Sequence, residues 1–164
     1  MTQAGGLGWL AWLEATAVAT AMRQSMWLYP IVEILHILGF VVLVGSAAMF
    51  DLRLLGFSRQ LAVTDMEHHL LRWARASVLV IVPTGSLMFV AHATEFAYNP
   101  AFRLKLILLS AAALNAAAFR VRPFRQVDEW DFGARAPLAA RVAAGLSLVL
   151  WTGVIACGRL LAYF

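Results

Sequence analysis

Residues 26 to 50 read MWLYPIVEILHILGFVVLVGSAAMF, an apolar run in which Glu33 and His36 are the sole acidic, basic or imidazole side chains. A run of about 20 such residues crosses a hydrocarbon core of ~30 Å, at ~1.5 Å per residue of helix. Three further runs of this kind follow, so the chain cannot fold around one soluble core. Its 62% hydrophobic and 13% charged residues depart from the roughly 45–50% apolar and 25% charged average of soluble domains in the same direction. The expected architecture is all-α: a single integral membrane four-helix bundle with spans at about 27–50, 74–94, 102–119 and 140–162. Pro83 is expected to kink the second span by removing a helical N–H. Ahead of the first span, GWLAWLEATAVATAMRQS places Trp9, Trp12, Leu13 and Ala17 on one face. This predicts an amphipathic helix over about 7–23 lying in the membrane interface. No Lys or Arg precedes it and Glu14 lies within it, so it lacks the basic n-region of a signal peptide and is expected to stay on the chain.

Charge sets the expected orientation. Nine of the thirteen Lys and Arg residues fall in or beside the first and third connectors, among them Arg53, Arg59, Arg120 and Arg141. Those connectors are assigned to the cytoplasm, both termini to the periplasm, and the whole to a bacterial inner membrane. The formal charge of +4 thus serves topology and contact with lipid, not nucleic-acid binding. Cys157 is the single cysteine, so neither an intrachain disulfide nor a cysteine metal cluster can form.

Ionisable groups in lipid cost about 2.5–3.5 kcal/mol on insertion scales and usually mark a site that faces the bundle. Glu33 and His36, at i and i+3, are expected to share a face. Gly85, Met88 and His92 form one helical stripe on the second span. This is a pattern suited to a buried b-type haem: an axial His from one helix, a His or Met from another, and a glycine where a macrocycle lies against backbone. By residue rise His36 lies roughly 8–13 Å from the periplasmic surface and His92 ~3 Å, so Met88 matches the depth of His36 more closely. Without Cys-x-x-Cys-His the haem would be non-covalent. Arg103 and Lys105, opening the third span, could pair with its propionates or with anionic lipid. For His36 and His92 the alternative is a packed, hydrogen-bonded core histidine. His68 and His69, in TDMEHHLLRW, are read as a solvated interfacial segment, because adjacent histidines point to different sides of a helix. Asn115 fits an interhelical hydrogen bond as well as a ligand contact.

The stretches YPIVEILHILGFVVLVGSAAMFDLRLLG, TGSLMF and NPAFRLKLILL resemble a family of small, largely uncharacterised bacterial four-helix membrane proteins. More distantly, His-x-x-Gly in the first helix, an Arg at its cytoplasmic end, a Gly in the second and Leu-Lys-Leu opening the third are similar to HemJ-type protoporphyrinogen oxidases and CopD-type copper-resistance proteins. The HemJ resemblance implies His36 as a haem ligand, with Arg53 and Lys105 as porphyrin or propionate partners. The resulting expectation is a b-type cytochrome-like electron-transfer protein, with Glu33 beside His36 as orienting group or proton acceptor. Its electrons would come from a quinol or a redox partner subunit. The alternatives are a porphyrin-oxidising enzyme, or a copper-handling or accessory subunit of a larger membrane complex.

Overall fold

A computed structural model describes residues 8–161 and 163. Its elements are α1 (Gly8–Glu14), α2 (Ala17–Gln24), α3 (Leu28–Leu55), α4 (Val63–Ala91), α5 (Ala93–Tyr98), α6 (Pro100–Val121), a 3-10 helix (Pro123–Glu129) and α7 (Leu138–Leu160). The fold is an all-α bundle, and α3, α4, α6 and α7 are each long and apolar enough to cross a membrane. Ile34, Leu38, Val41, Leu79, Ile107 and Val149 point outward and are exposed. Such a surface has no place in water and meets lipid tails here.

Two helices outrun the expected spans. With 28 and 29 residues, α3 and α4 reach roughly 42 Å, well beyond a ~30 Å core. Helix α3 continues through Asp51 and Arg53 to Gly56, whose φ of 111° closes it as a left-handed C-terminal glycine does. Helix α4 begins eleven residues before the second apolar run, because Val63, Glu67 and Ala74 form a buried stripe with the 3.6-residue period of an amphipathic helix. It runs unbroken through Pro83.

Helix α3 packs along α4 and against α7, and α7 packs along α6, whereas α4 and α6 are splayed. Glycines permit the tight contacts. A Cβ on Gly39 would stand 3.0 Å from Ile81 Cγ1, and one on Gly153 would stand 2.9 Å from Leu108 Cδ1. Across the α4–α6 gap, Phe102 stacks on Phe89 and Phe96, each at 5.5 Å, near α5. At the opposite end Arg120 reaches Glu67 at 2.7 Å. The gap is therefore bridged at both ends and open between them.

The N-terminal segment is two helices, not one amphipathic helix. Thr16 breaks it: its hydroxyl donates to Leu13 O at 2.7 Å and accepts from Ala19 N at 3.3 Å, capping α2. Trp9 and Trp12 are exposed, while Leu10, Ala19 and Met22 are buried against the end of the bundle. Glu14 and Arg23 reach out of this segment to the ends of other helices. Arg23 donates to Ala91 O at 2.8 Å at the end of α4, and Glu14 Oε1 accepts from Thr94 N at 2.8 Å at the start of α5. Each places charge where the helix dipole favours it.

The other end is organised by Arg53, which is 1% exposed. Its guanidinium donates to Leu61 O at 2.6 Å, Asp131 O at 2.9 Å and Arg59 O at 3.4 Å. Asp131 in turn caps α4 from outside the helix, its carboxylate accepting from Thr64 N at 2.8 Å and Thr64 Oγ1 at 2.9 Å. These bonds fix the 3-10 helix end against a core of Phe50, Leu54, Val63, Val127, Trp130 and Ala140.

Candidate functional site

His36 is half-buried, facing α4. Its Nδ1 lies 3.0 Å from Thr84 Oγ1, and the Thr84 hydroxyl is itself 2.6 Å from Val80 O. The hydroxyl has one proton, directed at that carbonyl, so its oxygen accepts from His36 Nδ1–H. Nε2 is then the ring nitrogen with a free lone pair, the protonation pattern of a metal-ligating imidazole whose other nitrogen is held by the protein.

Gly85 serves His36 directly. A Cβ there would stand 3.0 Å from His36 Cε1, so the imidazole itself fills the space over this glycine that the sequence reading gave to a macrocycle. Gly85→Val is expected to push the ring off Thr84 while helix content, read by circular dichroism, stays unchanged. A His36 imidazole NMR signal identical in the variant would contradict this.

The other candidate residues divide. His92 caps the end of α4, edge-on to Tyr29 at 5.6 Å and tilted against Phe96 at 6.0 Å. It lies seven residues beyond Gly85, about 10 Å along the helix, so His36 and His92 are not brought together. Its Nδ1 is buried without a hydrogen-bond partner. Met88 packs at the Met22, Val32 and Ala91 cluster, one turn from Gly85. Glu33 is exposed and does not sit beside His36 inside the bundle. Positions i and i+3 differ by about 60° around a helix, and here that angle places one side chain in and the other out.

Arg103 turns back to donate to Ala97 O at 3.0 Å, closing α5. Lys105 is half-buried, its Nζ 4.0 Å from where a Gly158 Cβ would stand. Of this basic pair, Lys105 alone is drawn into the bundle, and Arg103 stays exposed. Arg53, implied as a porphyrin partner, has its guanidinium committed to three backbone carbonyls and is a structural clamp. His68 and His69 are exposed. Among the described residues no three His, Cys, Asp or Glu side chains gather as a metal-ligand set.

A second polar cluster went unnoticed in the sequence. A cavity of about 350 Å³ lies between α3, α4, α6 and α7. Asp51, 6% exposed, lines it with Glu67, Asn115, Ser147 and Arg120. Asn115 donates to Ala143 O at 2.9 Å, an interhelical bond, one of the two roles its sequence position allows. In sequence Asp51 falls one residue beyond the first apolar run, where an acid reads as connector, yet it stands inside α3.

Fold and surface together define a multi-pass, all-α membrane protein with polar groups at two levels of its interior. The chain belongs to the family of unknown function DUF6644, whose model matches residues 10–164. No curated protein and no solved structure matches it.

Proposed function

We propose that this protein is a b-type cytochrome-like electron carrier of the bacterial inner membrane, holding one non-covalent haem b through His36 Nε2. The observation that carries this reading is the Val80–Thr84–His36 chain of hydrogen bonds, which commits Nδ1 to donation and leaves Nε2 to ligate. Met88, one turn from Gly85, is the nearer candidate for a second ligand, and His92 would need a helix rearrangement to join it. Haem b would supply a one-electron couple whose potential follows its axial ligands and surroundings. Lys105 would stand by as a propionate partner, and the HemJ-type likeness of the first-helix His-x-x-Gly points the same way. With both termini periplasmic, His36 lies in the periplasmic half, and a quinol or a redox subunit would be the electron source.

The test is a reduced-minus-oxidised visible spectrum of protein purified in mild detergent, beside a pyridine haemochrome assay. Sharp haem b bands at near-stoichiometric content are expected. A folded, colourless preparation that fails to take up added haemin overturns the reading. One observation favours a second role: Glu33, exposed among Ile31, Ile34 and Leu35, suits contact with another chain, as in an accessory subunit of a larger complex.

A further inference from the structure

The interior cavity has a chemistry that the His36 site does not use. Among the described residues Asp51 Oδ2 is one of three buried side-chain oxygen or nitrogen atoms without a hydrogen-bond partner, and the one of them on a cavity-lining residue. A buried polar group left unpaired costs about 1–3 kcal/mol, so an atom of this kind calls for a partner that the chain does not supply. Several donors around the cavity are drawn to other acceptors. Asn115 Nδ2 goes to Ala143 O, Arg120 Nη1 to Glu67 Oε1 at 2.7 Å, and Arg75 Nε to Leu71 O at 3.0 Å. None of these bonds reaches Asp51 Oδ2, and the Asn115 amide oxygen and the Ser147 hydroxyl line the same wall.

A ligand that partners the Asp51 carboxylate at Oδ2 must bring a proton. The rest of the wall is apolar, from residues such as Leu43, Phe50, Leu71, Phe119 and Trp151, so the ligand's body is apolar as well. The volume lies within the ~300–1,000 Å³ usual for small-molecule sites. Access is from the side: the lining residues Arg75 and Val78 of α4, and Ala116 and Ala117 of α6, are themselves exposed along the gap where these two helices do not pack together.

We infer that this cavity binds a lipid-soluble hydroxyaromatic of the hydroquinone class, which enters from the bilayer between α4 and α6 and donates a hydroxyl proton to Asp51 Oδ2. Binding itself stands on the cavity alone. The choice of a hydroquinone over another hydroxylated lipid rests on the electron-transfer reading above.

The probe is decylubiquinol, titrated under anaerobic conditions into the purified protein with quenching of Trp151 fluorescence as readout, taken as the difference from a Trp151→Phe background. Saturable binding is expected, about tenfold weaker in Asp51→Leu, which removes the acceptor. Ala116→Phe keeps Asp51 and obstructs the side opening, so it should weaken binding too, and it covers the case in which Asp51→Leu unfolds. Decylubiquinone, which lacks the hydroxyl donors, should bind several-fold more weakly than the quinol. His36→Ala should bind decylubiquinol as the parent does, which separates this site from the haem reading. No saturable binding to the folded parent, equal affinity in folded Asp51→Leu and Ala116→Phe, or a quinone bound as tightly as the quinol would each overturn the inference.

Discussion

His36→Ala, purified as the parent is, should show no haem b bands, whereas His68→Ala and His69→Ala retain them in full. The argument is local. His36 alone among the four histidines is held against a neighbouring helix with one nitrogen committed to a hydroxyl, Thr84 Oγ1 at 3.0 Å, and the other left free. On the proposed haem reading, removing the imidazole removes the ligand. Removing the hydroxyl in Thr84→Val leaves the ligand but releases its orientation, a change that at metal sites typically costs about 10–100-fold in affinity or activity. The series should therefore be graded: no haem in His36→Ala, weakened or shifted bands in Thr84→Val, and no change in the exposed pair. Unchanged spectra in His36→Ala would sink the haem assignment. Met88→Ala and His92→Ala, read by the same spectra, identify the second ligand.

Arg53→Met should be the most destabilising single substitution at the 3-10 helix end. Methionine keeps much of the buried volume and removes all three hydrogen bonds, leaving the carbonyls of Leu61 and Asp131 in an environment with few other donors. Unpaired buried groups cost about 1–3 kcal/mol each, so a loss on the order of 2–5 kcal/mol is expected. For a chain of this length that is a fall in Tm of roughly 5–15 °C, followed by circular dichroism in detergent. Arg53→Lys should recover part of it, because an ammonium can reach one or two of the carbonyls. Asp131→Ala, which uncaps α4, should cost about 1 kcal/mol. A Tm unchanged in Arg53→Met would mean that water or detergent satisfies these carbonyls.

The four spans were legible because lipid imposes a length and a composition on anything that crosses it. Their ends were less so. Hydropathy stops at the first charge, whereas α3 runs five residues past Phe50 and α4 starts eleven before Ala74. A helix can carry Asp51, Arg53 and Glu67 inward when other elements receive them, and those elements are unknown at the level of sequence. The same holds for Thr16, whose hydroxyl breaks a helix that periodicity alone would continue. Among candidate site residues, His36 drew attention through the cost of putting a polar group in lipid, and Lys105 through its place at the opening of the third span. The pairing of Glu33 with His36 failed because a shared helical stripe is wide enough to straddle the boundary between interior and exterior. Asp51 and Glu67 were missed because each stands at the margin of an apolar run, where an acid reads as connector.

The Arg53 clamp also dictates an order of events during synthesis. The acceptors of its guanidinium include the carbonyls of Arg59 and Leu61, a few residues on, and that of Asp131, 78 residues later. When α3 and α4 leave the ribosome as a hairpin, the cation has its near partners and waits for the far one. Asp131 also holds the first turn of α4, so that turn stays uncapped over the same interval. Closure of this end falls after α6 has been made and as α7 arrives, and a chain that ends before residue 131 carries a half-satisfied arginine and an uncapped helix start.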